Sequence, residues 1–212
     1  MTTLPESRGT RTDGLDDARL PGFLLLLVGA AFIIVTMLAA SIAPGYDFHG
    51  GKISDLGVID ETALLFNVLL VAIGVGNAIG GYLLQRAYGH PWLFAIYLIA
   101  GIGAVGVGLF PLSTGGLHSI FALLAFVFIN LEALATAAVV PGALIRIVSA
   151  VSGLAGLMYV VVMLIGDGGN PAVFGAIGHG GSERMIAYPA MLWLLVFGGY
   201  LIASPEPRHR ER

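Results

Sequence analysis

The chain contains no cysteine. That excludes disulfides, thiolate metal sites, a lipoprotein anchor and cysteine catalysis. Charge is scarce as well. Aspartate, glutamate, lysine and arginine make up 11% of the 212 residues, against about 25% in soluble globular domains. Lysine occurs once, as Lys52; the other eight-plus-one cationic positions are all arginine. No basic stripe with interleaved aromatics is present, which excludes ordinary nucleic-acid binding. No segment repeats another, so nothing points to an inverted-repeat transporter. No HExxH or comparable ligand spacing occurs.

What is abundant is apolar surface. Hydrophobic residues make up 57% of the chain, and its mean hydropathy is +0.91. A water-soluble core of this size cannot hide that much. Lipid is therefore the solvent. Six apolar runs follow one another, at about Pro21–Ala43, Thr62–Leu84, Pro91–Phe110, His118–Pro141, Ile147–Ile165 and Met185–Ile202. Each is near the roughly 20 residues that cross about 30 Å of hydrocarbon. The first run competes with a signal peptide, because Ser41-Ile42-Ala43 offers small residues for cleavage. It exceeds the roughly 7–15 residues of a signal core, so a retained span is expected. The predicted fold is all-α: a polytopic bundle of six transmembrane helices over 21–203. A disordered tail, 1–20, precedes it, and a basic tail, 204–212, follows.

Six spans put both termini on one side. Arg8, Arg11, Arg19, Arg86, Arg146, Arg208, Arg210 and Arg212 fall on that side; Lys52 and Arg184 fall opposite. Cytoplasmic loops carry the excess of Lys and Arg, so both termini are predicted inside a cell membrane. Glycines crowd the second and third spans. Gly76 and Gly80 form a small-xxx-small pair, which serves helix packing and offers a face for a homo-oligomer. The arginine bias suits a GC-rich genome.

This topology collects polar residues outside. The first loop carries Asp47, His49, Lys52, Ser54 and Asp55; the fifth carries Asp167, Asn170, His179, Glu183 and Arg184. His118 opens the fourth span, and Asn67 enters the second one turn in. The stretch His179–Pro189 draws most notice. Ser182 reads as a helix N-cap with Glu183 in the first turn. Arg184 is then a cation at the positive end of the helix dipole, which calls for an anion to answer it. Tyr188 follows one turn later on the same face, and Pro189 kinks the span beside it.

Three chemistries fit. Arg184, Tyr188, Glu183, Asp55, Asn67 and Lys52 are candidate ligand-binding residues, for a lipid headgroup, a small anion or a partner; arginine grips phosphate in a bidentate manner. The plain alternative is that Arg184 pairs with Asp55 or Glu183 and locks the loops. His118, His179 and His49 are weak candidates for zinc, which with Asp55 and Glu183 would make a membrane-embedded hydrolase or lipid-modifying enzyme. Glu132, about 14 residues or roughly 21 Å into the fourth span, is a buried acid that could carry a proton in a small transporter. Hydrogen bonding to Thr136 or Asn77 is its structural explanation. No cofactor and no catalytic residue is assigned; membrane lipids are the expected partners.

Spaced pieces of the sequence also form a pattern. Ile53-Ser54-Asp55-Leu56-Gly57 is followed by Phe66-Asn67, then by Leu109-Phe110-Pro111 with His118. Gly181-Ser182-Glu183-Arg184-Met185-Ile186 with Tyr188-Pro189 completes it. The order and spacing resemble the membrane family catalogued as domain of unknown function 998, from the first span to the sixth. The resemblance implies six spans, a membrane location and an archaeal or bacterial source. It implies no activity.

Overall fold

The computed structural model describes residues 18–203. Six long helices account for the six apolar runs: α1 (Arg19–Ile42), α2 (Ala63–Tyr88), α3 (Pro91–Leu109), α4 (Gly116–Val139), α5 (Ala143–Asp167) and α6 (Gly178–Ala203). All six are long and apolar enough to span a bilayer. Among the described residues there is no strand. The expected tails fall on 1–17 and 204–212, outside the described residues, apart from Ala18–Leu20, where α1 already begins.

Each helix packs against its neighbours in sequence, and α6 closes the ring on α1 while also touching α4. The protein is thus a closed six-helix ring with α6 as its most buried member and α5 as its least. Exposed Leu64, Leu144, Val151 and Leu154 face outward on α2 and α5, as lipid-facing residues do when the apolar solvent is the bilayer.

Glycine lets the ring close. A Cβ on Gly74 would lie 2.6 Å from the Gly101 carbonyl, so α2 and α3 touch backbone to backbone. Gly76 and Gly80 face Val28 and Leu25 of α1. The pair that offers a face to a second copy in the sequence is used for packing inside the bundle. Buried polar groups fasten the helices further: Trp193 on α6 donates to Ser149 on α5 at 2.7 Å, and its ring stacks on Phe197. Asn130 on α4 donates to the Ile186 carbonyl of α6 at 3.1 Å, in the turn before Pro189. The helix runs on through that proline as one element.

The connections α1–α2, α3–α4 and α5–α6 share one end of the ring, termed the polar end. Three short 3-10 turns cap it, at Ile53–Gly57, Leu112–Thr114 and Pro171–Ile177.

The largest departure from the sequence reading is the start of α6, seven residues earlier than expected. Gly178-His179-Gly180-Gly181-Ser182 has little helix propensity. Tertiary contact overrides it. Gly180 N–H donates to the His49 carbonyl at 2.9 Å, and the first loop lies directly on Gly178 and Gly180. A Cβ at Gly180 would collide with the Gly51 carbonyl, and Gly178 sits at φ 66° against His49. Ser182 is consequently no N-cap: it lies inside the helix, and its hydroxyl donates back to the Gly178 carbonyl at 2.9 Å. Glu183 and Arg184 fall in the second turn, beyond the first-turn reach of the dipole argument.

Candidate functional site

The polar end has two parts. The first is a clamp. Residues 43–52 leave α1 and cross over the start of α6. Arg184 rises into this loop, only 9% exposed. Its Nη1 donates to the carbonyls of Phe48 (3.0 Å) and Gly51 (3.1 Å), and its Nη2 donates to the Tyr46 hydroxyl (2.6 Å). Tyr46 donates onward to the Lys52 carbonyl at 2.7 Å. The guanidinium also lies over the Phe48 ring at 4.6 Å and the Tyr46 ring at 5.6 Å. Carbonyl dipoles and aromatic faces answer its charge. The anion that the dipole argument called for is absent from its hydrogen bonds, and neither Asp55 nor Glu183 pairs with it.

Burial pushes the Tyr46 hydroxyl up to about 12, against the pull of Arg184, which favours the phenolate. Asp47 shapes the exposed tip of the loop. Its carboxylate accepts from the amides of Gly50 (2.7 Å) and His49 (3.1 Å), and these bonds hold it below the usual aspartate range.

The two acids of the sequence motif are tied down too. Glu183 accepts from the Ile53 amide and bonds Ser54, which anchors the first 3-10 turn on α6. Asp55 accepts from the Lys52 amide at 2.7 Å. Asn67 donates to the Gly57 carbonyl at 2.9 Å. Tyr188 leaves the site altogether: it packs edge-on against Phe32 of α1 and its hydroxyl reaches the Met37 sulfur at 3.9 Å. Of the six candidate ligand residues, five therefore act within the fold. Lys52 differs. Its backbone is held, but its ammonium joins no ion pair among the described residues.

The second part is a lateral pocket of about 230 Å³ between α4 and α5, backed by α6. The two helices meet lower down, where Asn130 fills the space a side chain would need at Gly153 and Gly156. Above that level the pocket separates them. Its rim is polar: Lys52, Ser119, His118 and the pair Asp167–His179. Its walls are apolar: Leu123 and Phe126 on α4, Val160, Met163 and Leu164 on α5. Leu123 and Leu164 are 42% and 56% exposed, so the pocket opens sideways, toward the surface that lipid covers.

Both pocket histidines are oriented by neighbours. His118 is buried, and its Nδ1 donates to the Phe110 carbonyl at 2.9 Å. His179 Nε2 meets Asp167 at 2.8 Å, and its ring lies 4.6 Å from Phe174. His49 stands apart on the exposed loop tip. The three histidines expected together as zinc ligands do not converge, and among the described residues no three histidine or carboxylate side chains could hold a metal ion.

A second, interior cavity of about 80 Å³ lies inside the ring. It shares Ser54, His118, Phe126 and Glu183 with the lateral pocket and descends between α1, α2, α3 and α4 to Asn77. There Asn77 Nδ2 donates to Glu132 at 2.6 Å and to the Tyr97 carbonyl at 3.2 Å. Asn77 is the Glu132 partner, while Thr136 bonds the Tyr97 hydroxyl at 3.3 Å instead.

Fold and site define a class: a six-span helical membrane protein with a clamped polar end and a side-opening amphipathic pocket. The model of the family described as protein of unknown function (DUF998) matches residues 26–200, and the chain belongs to that family. The match runs from α1 to α6 and covers every residue named above at the polar end. No curated protein and no solved structure matches the chain.

Sequence reasoning missed Tyr46 and Phe48. The signal was there: two aromatics flanking Asp47 in a loop long enough to fold over a neighbouring helix. Phe174, which fills the space beside Gly166, carried no such signal.

Proposed function

We propose that the protein binds a membrane lipid through a phosphate-bearing headgroup, at the lateral pocket between α4 and α5. The observation that carries this reading is the match of the pocket to an amphiphile. A polar rim with Lys52, which joins no ion pair among the described residues, stands over apolar walls that open to the bilayer side. Lys52 supplies a point charge for a phosphate. His118 and Ser119 line the same rim. The acyl chain leaves past Leu123, Met163 and Leu164. The arginine distribution supports a cell-membrane placement with both termini inside, which puts the pocket in the outer leaflet.

Photo-crosslinking tests the location. A phospholipid with a photoreactive group near its glycerol, supplied in nanodiscs, is expected to label α4 at Leu123–Phe126 and α5 at Val160–Leu164. Labels spread evenly over the exposed faces of α2 and α5 would refute a specific pocket.

A further inference from the structure

The interior cavity ends at an arrangement that packing alone does not explain. Glu132 and Asn77 are both buried, at 0% and 4% exposure. Each keeps one oxygen with no hydrogen-bond donor among the described residues: Oε2 of Glu132 and Oδ1 of Asn77. Two acceptors left without a protein donor at the core of a membrane bundle are costly, because lipid offers none in their place. Glu132 lies 16 residues into α4, roughly 24 Å from its start at a helical rise of 1.5 Å. An ionised carboxylate there would also lack any countercharge among the described residues. The groups that bear on it are the Asn77 amide from α2 and the Tyr97 phenol from α3, neither of them cationic.

We propose that Glu132 and Asn77 form a proton-exchange site, in which Glu132 carries a proton that reaches it from the polar end through the interior cavity. A single proton on Oε2 removes the uncompensated charge. A metal cation fits less well. It needs about six oxygen ligands, and only two oxygens here are unengaged.

The cavity supplies the route. Its lower end is Asn77, and its upper end is Ser54, His118 and Glu183, which also border the lateral pocket. Its volume of about 80 Å³ accommodates water, which needs roughly 10–15 Å³ of such space per molecule. The walls between the ends are apolar: Phe66, Leu70, Ile73, Ala104 and Val107. A standing water file has no partners along them. Water enters transiently, so exchange is intermittent rather than fast. His118 borders both cavities, but Lys52 belongs to the lateral pocket alone and Asn77 to the interior cavity alone, so each proposal can fail without the other.

Infrared difference spectroscopy on the whole protein in nanodiscs tests the site. At neutral pH the wild type is expected to show the carbonyl stretch of an un-ionised carboxylic acid. Glu132→Gln is expected to abolish it. Should that variant not fold, Glu132→Asp keeps the acid and moves the band instead. Transfer to D2O is expected to shift the band. Ala104→Leu, which narrows the cavity, is expected to slow that shift about tenfold or more, since exchange then waits on local opening of the bundle. Absence of the band in the wild type overturns the proposal. So does a band that stays unshifted in D2O after the loop amides have exchanged, or one that shifts equally fast in Ala104→Leu.

Discussion

The clamp over α6 and the pocket between α4 and α5 lie at the same end of the bundle, yet they treat polar groups in opposite ways. In the clamp, charge is consumed locally. Arg184 gives three hydrogen bonds and two aromatic contacts to one loop. In the pocket, Lys52, His118 and His179 border open space. The cation that looks most like a ligand site in the sequence holds the fold. The cation that looks ordinary stands where a ligand can enter. Rarity in an apolar chain marks a residue as consequential without saying whether it serves structure or recognition; neighbours decide that.

The comparison can be broken at the clamp first. Arg184→Ala removes three charge-assisted bonds and takes the guanidinium donor from the Phe48 and Gly51 carbonyls. It is expected to cost on the order of 3 kcal/mol, read as a large fall in thermal midpoint in detergent or nanodiscs. Gly180→Ala should come next. Its Cβ would meet the Gly51 carbonyl, and forcing the loop away costs roughly 1–3 kcal/mol as overpacking does. Limited proteolysis at residues 46–52 is expected to speed up in both.

Tyr46→Phe sharpens the comparison with a smaller effect. It deletes the hydroxyl between Arg184 and the Lys52 carbonyl, at about 1–2 kcal/mol. Its pH signature is distinctive. Burial pushes the folded Tyr46 hydroxyl up to about 12, above its ordinary 10.0. Its contribution is therefore fully present below pH 10.0 and is lost as pH rises through about 12. Wild-type loop protection should fall across that window, and Tyr46→Phe should flatten the fall. Asp47 has the opposite sign. Its folded value lies below 3.8, so its support of the loop tip is present above that pH and lost on acidification. Asp47→Asn should make loop proteolysis insensitive to acid while barely moving the thermal midpoint.

Much of the fold was legible because lipid imposes a simple rule: long apolar runs become helices. Five of the six expected spans lie within about four residues of α1 to α5. The sixth failed for a physical reason. Gly178-His179-Gly180-Gly181 becomes helical only because a loop 130 residues earlier sits on it, and no local propensity encodes that. The error propagated. With the helix start misplaced, Ser182 became a cap, and Arg184 became a dipole mismatch in search of an anion. Glu132 fared better. Its depth could be counted, and Asn77 at matching depth was one of two partners expected. The lateral pocket was illegible, because it depends on α4 and α5 meeting at Asn130 and Gly156 and parting above them. The sequence placed Lys52 and His118 at the right end without showing that they border the same space.

The most direct measurement is lipid stoichiometry by native mass spectrometry, together with thermal midpoint, on Lys52→Ala and Arg184→Ala side by side. Lys52→Ala is expected to lose the co-purifying phosphate-bearing lipid while keeping the wild-type midpoint, and Arg184→Ala to lose stability first. A Lys52→Ala protein that retains the lipid as the wild type does, or an Arg184→Ala protein that loses it with an unchanged midpoint, would contradict the division of labour between pocket and clamp.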